Sequence, residues 1–68
     1  MSTAKVVELV GQSKKSWEDA VKVALKDAAK TIRNIKCVDV IKQTADVDSK
    51  GNITAYRASV KVLFIVER

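Results

Sequence analysis

"IKCVDVIKQTADVDSKGNITAYRASVKVLFIVER", residues 35–68, is half of a 68-residue chain and decides its fold. Two runs rich in β-branched residues flank "DSKGN", residues 48–52. Such runs read as strands, and the short polar segment between them reads as a hairpin turn. Gly51 is placed to take the positive φ that the turn needs. In the second run, Tyr56, Ala58, Val60, Val62, Phe64 and Val66 fall on one face. Arg57, Ser59, Lys61, Leu63 and Ile65 fall on the other, as a period of two dictates. In the first run, the same alternation predicts Lys36, Val38, Val40 and Lys42 on one face. It predicts Cys37, Asp39, Ile41 and Gln43 on the other.

Upstream of the hairpin the period changes. From Trp17, apolar residues recur at Val21, Ala24, Ala28 and Ile32, with Ala20 and Leu25 beside them. That spacing predicts a helix of about 17 residues with one apolar stripe. Ser16 is its expected N-cap, and Glu18 and Asp19 sit in the first turn, where the helix dipole favours acids. Ala20, Ala24 and Ala28 form a smooth ridge suited to close approach to a sheet. The helix is expected to end near Arg33–Asn34, since Asn tolerates a left-handed backbone. Before it, "KVVELV" (Lys5 to Val10) reads as a first strand, which "GQSKKS" breaks. The expected fold is therefore α+β: a single domain, 1–68, of order β-α-β-β, with a three-stranded antiparallel sheet around one helix.

The lengths in this arrangement do not match. Strands of about 14 residues reach roughly 45 Å, whereas a helix of about 17 spans roughly 25 Å. One helix leaves much of the sheet uncovered, and Leu63 and Ile65 lie on the face away from Phe64. A contiguous exposed apolar patch marks an interface. A chain this short also buries little surface by itself. Both arguments predict self-association.

Composition narrows the chemistry. Cys37 is the only cysteine and there is no histidine, which excludes an internal disulfide and an imidazole zinc site. No nucleophile–base pair is visible, so catalysis is not expected. "DVDSKGN" offers Asp46, Asp48 and Gly51 at calcium-loop spacing, but Lys50 and Arg57 occupy the fifth and twelfth positions, where oxygen ligands belong. A hairpin turn accounts for the whole motif. The net charge is +5 and Lys22, Lys26 and Lys30 form a basic row. With only Trp17, Tyr56 and Phe64 aromatic, a stacking platform for nucleic acid is absent, and the row reads as a solvated helix face. No apolar run approaches the length of a membrane span and no signal peptide is evident, so a cytoplasmic protein is expected.

Three segments together resemble the dodecins over essentially the whole chain. These are "KVVELVGQSKKSWEDAVKVALKDAAKTIRN", "VDVIKQ" and "YRASVKVLF". The resemblance implies a hollow homododecamer of cubic symmetry, helices outward, that acts as a non-enzymatic store or buffer for a small ligand. It implies flavins, riboflavin or FMN, paired in a pocket at a subunit interface. There a tryptophan just after the helix stacks on the isoalloxazine, and a glutamine just after the third strand's tyrosine hydrogen-bonds it. Here Cys37 stands in the place of the tryptophan and Arg57 in the place of the glutamine. A cysteine cannot stack on a ring, and a buried one behaves as a small hydrophobe. An arginine brings a charged donor fork. Flavin binding is thus expected to be weakened or lost, with Cys37 filling space. Some dodecin-like proteins that lack the tryptophan are ion-binding, calcium in particular, which gives the alternative expectation: an ion-binding or purely structural cage without organic ligand. The acidic residues on the strands and turn are Asp39, Asp46, Asp48 and Glu67. A third reading, a basic surface recruiting anionic polymers, ranks below both.

Overall fold

A computed structural model describes residues 2–67. Its elements are β1 (Ser2–Ser13), α1 (Trp17–Ala29), β2 (Ile35–Val47) and β3 (Ile53–Glu67). They form the expected β-α-β-β fold with one three-stranded antiparallel sheet, in the order β1-β3-β2. The third strand is central, and the first and second are edges. Arg68, the last residue of the expected third strand, lies outside the described residues.

The helix begins as its sequence dictates. Ser16 is extended, and its hydroxyl accepts a 3.0 Å hydrogen bond from the Asp19 amide. Asp19 does not close a capping box. Its carboxylate accepts the Ser13 hydroxyl at 2.6 Å instead, tying the helix start to the end of β1. The alanine ridge faces the sheet, with Ala20, Ala24 and Ala28 at 0%, 4% and 4% exposure. Ala20 and Ala24 join Ala58, Val60 and Val62 in the core, with Val7, Leu9, Leu25 and Val38 packed around them.

Three local expectations are corrected. The helix has 13 residues and stops at Ala29, about four residues early. The Lys30 and Thr31 amides turn inward to Asp27 and Ala28, the tightened bonding of a helix end. Asn34 does adopt a left-handed φ of 62°, but as the entry to β2. Its carbonyl accepts the Ile65 amide at 3.1 Å and its side chain donates to the Ile65 carbonyl. The first strand is not broken at Gly11 but runs on to Ser13, in unbroken register with β3 from Ser2↔Glu67 to Ser13↔Tyr56. Gly11 permits this, because a Cβ there would meet the Ala20 carbonyl oxygen at 1.9 Å.

The third correction concerns β2, whose register slips between Ile35 and Cys37 and again between Val40 and Lys42. Each bulge adds an unpaired residue and reverses the alternation beyond it. Cys37 and Asp39 remain opposite Leu63 and Lys61, on the face away from the helix. Lys42 crosses to that face opposite Ser59, and Gln43 moves to the helix side opposite Ala58. The turn matches its sequence: Gly51 has φ 84°.

Candidate functional site

Arg57 is the fifth residue of the central strand, at a level where the three strands are tied together. Gln12 lies opposite it on β1 and Thr44 opposite it on β2. Its Nε donates to the Gln12 side-chain oxygen at 3.0 Å, and its Nη1 donates to the Asp46 carboxylate. One guanidinium therefore links side chains from both edge strands across the face that the helix leaves open. Both members of the Arg57–Asp46 pair are about 40% exposed, so solvent screens the attraction and its net contribution is about 1 kcal/mol or less.

The opposite side of the same level is equally well held. The Trp17 indole N–H donates to the Thr44 carbonyl at 2.8 Å. Its ring meets Tyr56 edge-on, centroids 4.8 Å apart. These contacts pin the helix start to β2 and β3 directly behind Arg57. Trp17 is thus a packing residue, as its sequence position suggests, and Tyr56 is half-buried beneath it.

Cys37 lies elsewhere. It follows the first β2 bulge, is exposed, and sits opposite Leu63. Leu63 is six residues from Arg57 along β3, which is about 20 Å of strand. The two residues expected at one binding pocket are not brought together within one chain.

The donors present can be tested against each implied ligand. At Cys37 there is an aliphatic thiol and no ring, so the stacking half of an isoalloxazine sandwich is missing. At Arg57 the donor fork already serves Gln12 and Asp46. These two positions do not fit a flavin. For a calcium ion, six to eight oxygen ligands are required. The Asp48 carboxylate is spent on its own turn, accepting the Lys50 and Asn52 amides at 2.9 Å each and the Asn52 side chain at 3.3 Å. Those backbone donors favour the charged form and hold Asp48 below the usual carboxylate range. Asp46 is already paired with Arg57. Asp39 and Glu8 flank Lys61 in register across the open face. Among the described residues, no three acidic or thiol side chains of one chain converge. One chain therefore shows no preformed carboxylate cage among the described residues, and a site pooled from several copies is an arrangement that sequence spacing cannot display.

Gln12 and Asp46 are the neighbours of Arg57 that sequence reading did not assign. Asp46 was visible as an acid near the turn. Gln12 was hidden because it follows Gly11, where the first strand was expected to have ended.

Comparison with known proteins agrees with this fold. A family model described as Dodecin matches residues 3–67. The chain is 41% identical over 64 residues to a protein of Mycobacterium tuberculosis called calcium dodecin, covering 94% of this chain and 89% of that one. A crystal structure of that organism's calcium dodecin, described as having a novel calcium-binding site, superposes with a TM-score of 0.80 at 37% identity. That match covers 91% of this chain and 87% of the other. A dodecin variant from Thermus thermophilus superposes with a TM-score of 0.92 at 31% identity, with complete coverage of both chains.

Proposed function

We propose, for a chain that belongs to the dodecin family, a non-catalytic role as a small-ligand binding and storage shell. The shell is a cytoplasmic homododecamer of the single domain 1–68, with flavin affinity lowered by Cys37 and Arg57. The observation that carries this reading is the pair of altered positions: a thiol where stacking is needed, and a guanidinium already bound by Gln12 and Asp46. The uncovered sheet supports the assembly. Val6, Val10, Val40, Ile41, Val47 and Ile53 are each 43–62% exposed in one chain, and Val6 and Val10 lie on the sheet face that the helix leaves open, where exposed apolar surface suits an interface. No helix is long and apolar enough to cross a membrane among the described residues.

Stacking of a planar ring on an aromatic side chain is worth about 1–3 kcal/mol. Replacing Cys37 by Trp should restore that contact. Riboflavin and FMN fluorescence quenching is titrated against wild type and Cys37→Trp, with light scattering to establish the assembled species. The expected result is binding at least about tenfold tighter in the variant. Equal affinities would show that the pocket does not depend on this position and would defeat the reading.

A second reading, a calcium-binding shell, is supported by the relative named calcium dodecin at 41% identity. Of the acidic residues on the strands and turn, Asp46 and Asp48 are already engaged by Arg57 and by the turn amides, which leaves Asp39 and Glu67 as oxygen donors that several copies could pool. Calorimetric titration of the chelator-treated oligomer with calcium separates the two. Heat of binding that survives in Cys37→Trp belongs to the ion and not to the flavin pocket.

A further inference from the structure

The sheet face that the helix leaves open carries rows of side chains set by the register of the three strands. Gln12, Arg57 and Thr44 form one row. Val10, Ser59 and Lys42 form the next, and the pairing is regular from one row to the other. Strict alternation would put Lys42 on the helix side. The bulge between Val40 and Lys42 carries it across the sheet. Lys42 thereby becomes a diagonal cross-strand neighbour of Arg57, about 7–8 Å away and within reach of long side chains.

These two rows are rich in donors that the chain does not use. Of the Arg57 nitrogens, Nε donates to Gln12 and Nη1 to Asp46, which leaves the Nη2 amino group. Because Nε can only donate, it fixes the Gln12 amide with its oxygen inward and its amino group turned away. Among the described residues, Lys42 belongs to neither ion pair. The Ser59 and Thr44 hydroxyls enter none of the side-chain hydrogen bonds among those residues. Arg57 is held from both edge strands, so its geometry is set before a ligand arrives, which lowers the cost of binding. Two cations, Arg57 and Lys42, share the rows with one carboxylate, Asp46, and the balance is positive. The row beyond, Glu8–Lys61–Asp39, has two acids about one lysine and the opposite sign.

We propose that these rows bind a tetrahedral oxyanion, phosphate or the phosphate group of a small metabolite. Its oxygens lie between the Arg57 Nη2 group and the Lys42 ammonium, with the Ser59 and Thr44 hydroxyls as further donors. Charge-assisted bonds from a guanidinium and an ammonium are the strong ones for such an anion. A carboxylate offers two oxygens in one plane and suits the arginine alone, leaving the donors of the second row unmet. A flat ring finds no wall here, since Val10 is the one apolar side chain in the two rows. Asp46 competes with the anion for Arg57 and holds the affinity down. The inference rests on the small-ligand reading above and names its ligand class.

Calorimetric titration of the full chain with inorganic phosphate at low ionic strength tests it, with light scattering on the same sample. Lys42→Gln should weaken binding about tenfold, the weight of a charge-assisted hydrogen bond. Lys42→Arg keeps charge and donors and should stay within about threefold of wild type. Asp46→Asn removes the competing carboxylate and should tighten binding about two- to fivefold. Circular dichroism verifies that each variant is folded. Glycerol phosphate separates the two sources: tighter binding than inorganic phosphate assigns the site to a phosphorylated metabolite, and equal binding to the free ion. No binding to wild type, binding that Lys42→Gln leaves unchanged, or weaker binding by folded Asp46→Asn overturns the site. Any of these from an intact oligomer leaves the shell standing. Phosphate binding by a chain that light scattering shows to be monomeric keeps the site, which one chain supplies whole, and removes the shell.

Discussion

Replacing Gly11 by alanine tests the packing that holds the helix to the sheet. The added Cβ would lie 1.9 Å from the Ala20 carbonyl oxygen, 2.9 Å from its carbon and 3.0 Å from the Ala24 Cβ. A carbon and a carbonyl oxygen come to rest at about 3.3 Å. The helix must therefore retreat by roughly 1.4 Å, or β1 must bend away by as much. The obstructing atoms are backbone, so no side-chain rotation relieves the clash. A gap of 0.5–1 Å already forfeits a quarter to a half of a dispersion well, and the ridge of Ala20, Ala24 and Ala28 has no longer side chains to bridge it. Overpacking of this kind costs about 1–3 kcal/mol, and a backbone obstruction belongs at the upper end. Alanine's lower entropy in an extended strand returns about 0.5–1 kcal/mol. The net expectation is a loss of about 2 kcal/mol. Urea unfolding, followed by the circular dichroism and Trp17 fluorescence at one fixed protomer concentration, reads it directly. With a slope of about 1–2 kcal/mol/M for a small protein, the midpoint should fall by about 1 M or more. Gly51→Ala is the contrast, since nothing lies within 4 Å and only its φ of 84° opposes the change. Should Gly11→Ala leave the midpoint unmoved, the close helix–strand approach at this position would be wrong.

Trp17→Phe keeps an aromatic ring against Tyr56 but deletes the N–H that binds the Thr44 carbonyl. A loss of about 1 kcal/mol is expected, which for a chain of this size lowers the melting temperature by about 4–8 °C; an unchanged melt would show the bond to be without weight. Asp48 has a depressed pKa in the folded chain. Its contribution is therefore complete above the unfolded value of about 3.9 and is lost as pH falls through the lowered one. The melting-temperature difference between wild type and Asp48→Asn should be largest near pH 6 and shrink below pH 4, and a constant difference would exclude the turn carboxylate as its source.

Several features were legible in the residues because they depend on near neighbours. The Ser16 cap needs only the Asp19 amide three residues away. The alanine ridge follows from helical period, and the turn from the Asp48 side chain and Gly51. The face assignment of β3 from Tyr56 to Val66 held, because β1 pairs with this stretch residue for residue; the one irregularity of the central strand, at Thr54, lies before it. The helix end was misplaced because Asn34 has the backbone of a helix terminus but uses it to reach Ile65, 31 residues away. Gly11 looked like a breaker because its reason, the Ala20 carbonyl, lies across the fold.

The binding site divides the same way. That Cys37 and Arg57 occupy unusual positions could be read from the chain, because resemblance to the dodecins fixes which residue types belong there. That they lie about 20 Å apart in one protomer could not, nor that Arg57 is already bound by Gln12 and Asp46. By itself the sequence determined the element order, the helix start, the hairpin turn and the mismatch between one short helix and two long strands, since period and reach are local properties. Only the tertiary structure decided the strand order and the β2 bulges that carry Lys42 across the sheet. Each of these depends on which distant backbone groups pair, and the pairing is chosen by the packing of the whole sheet.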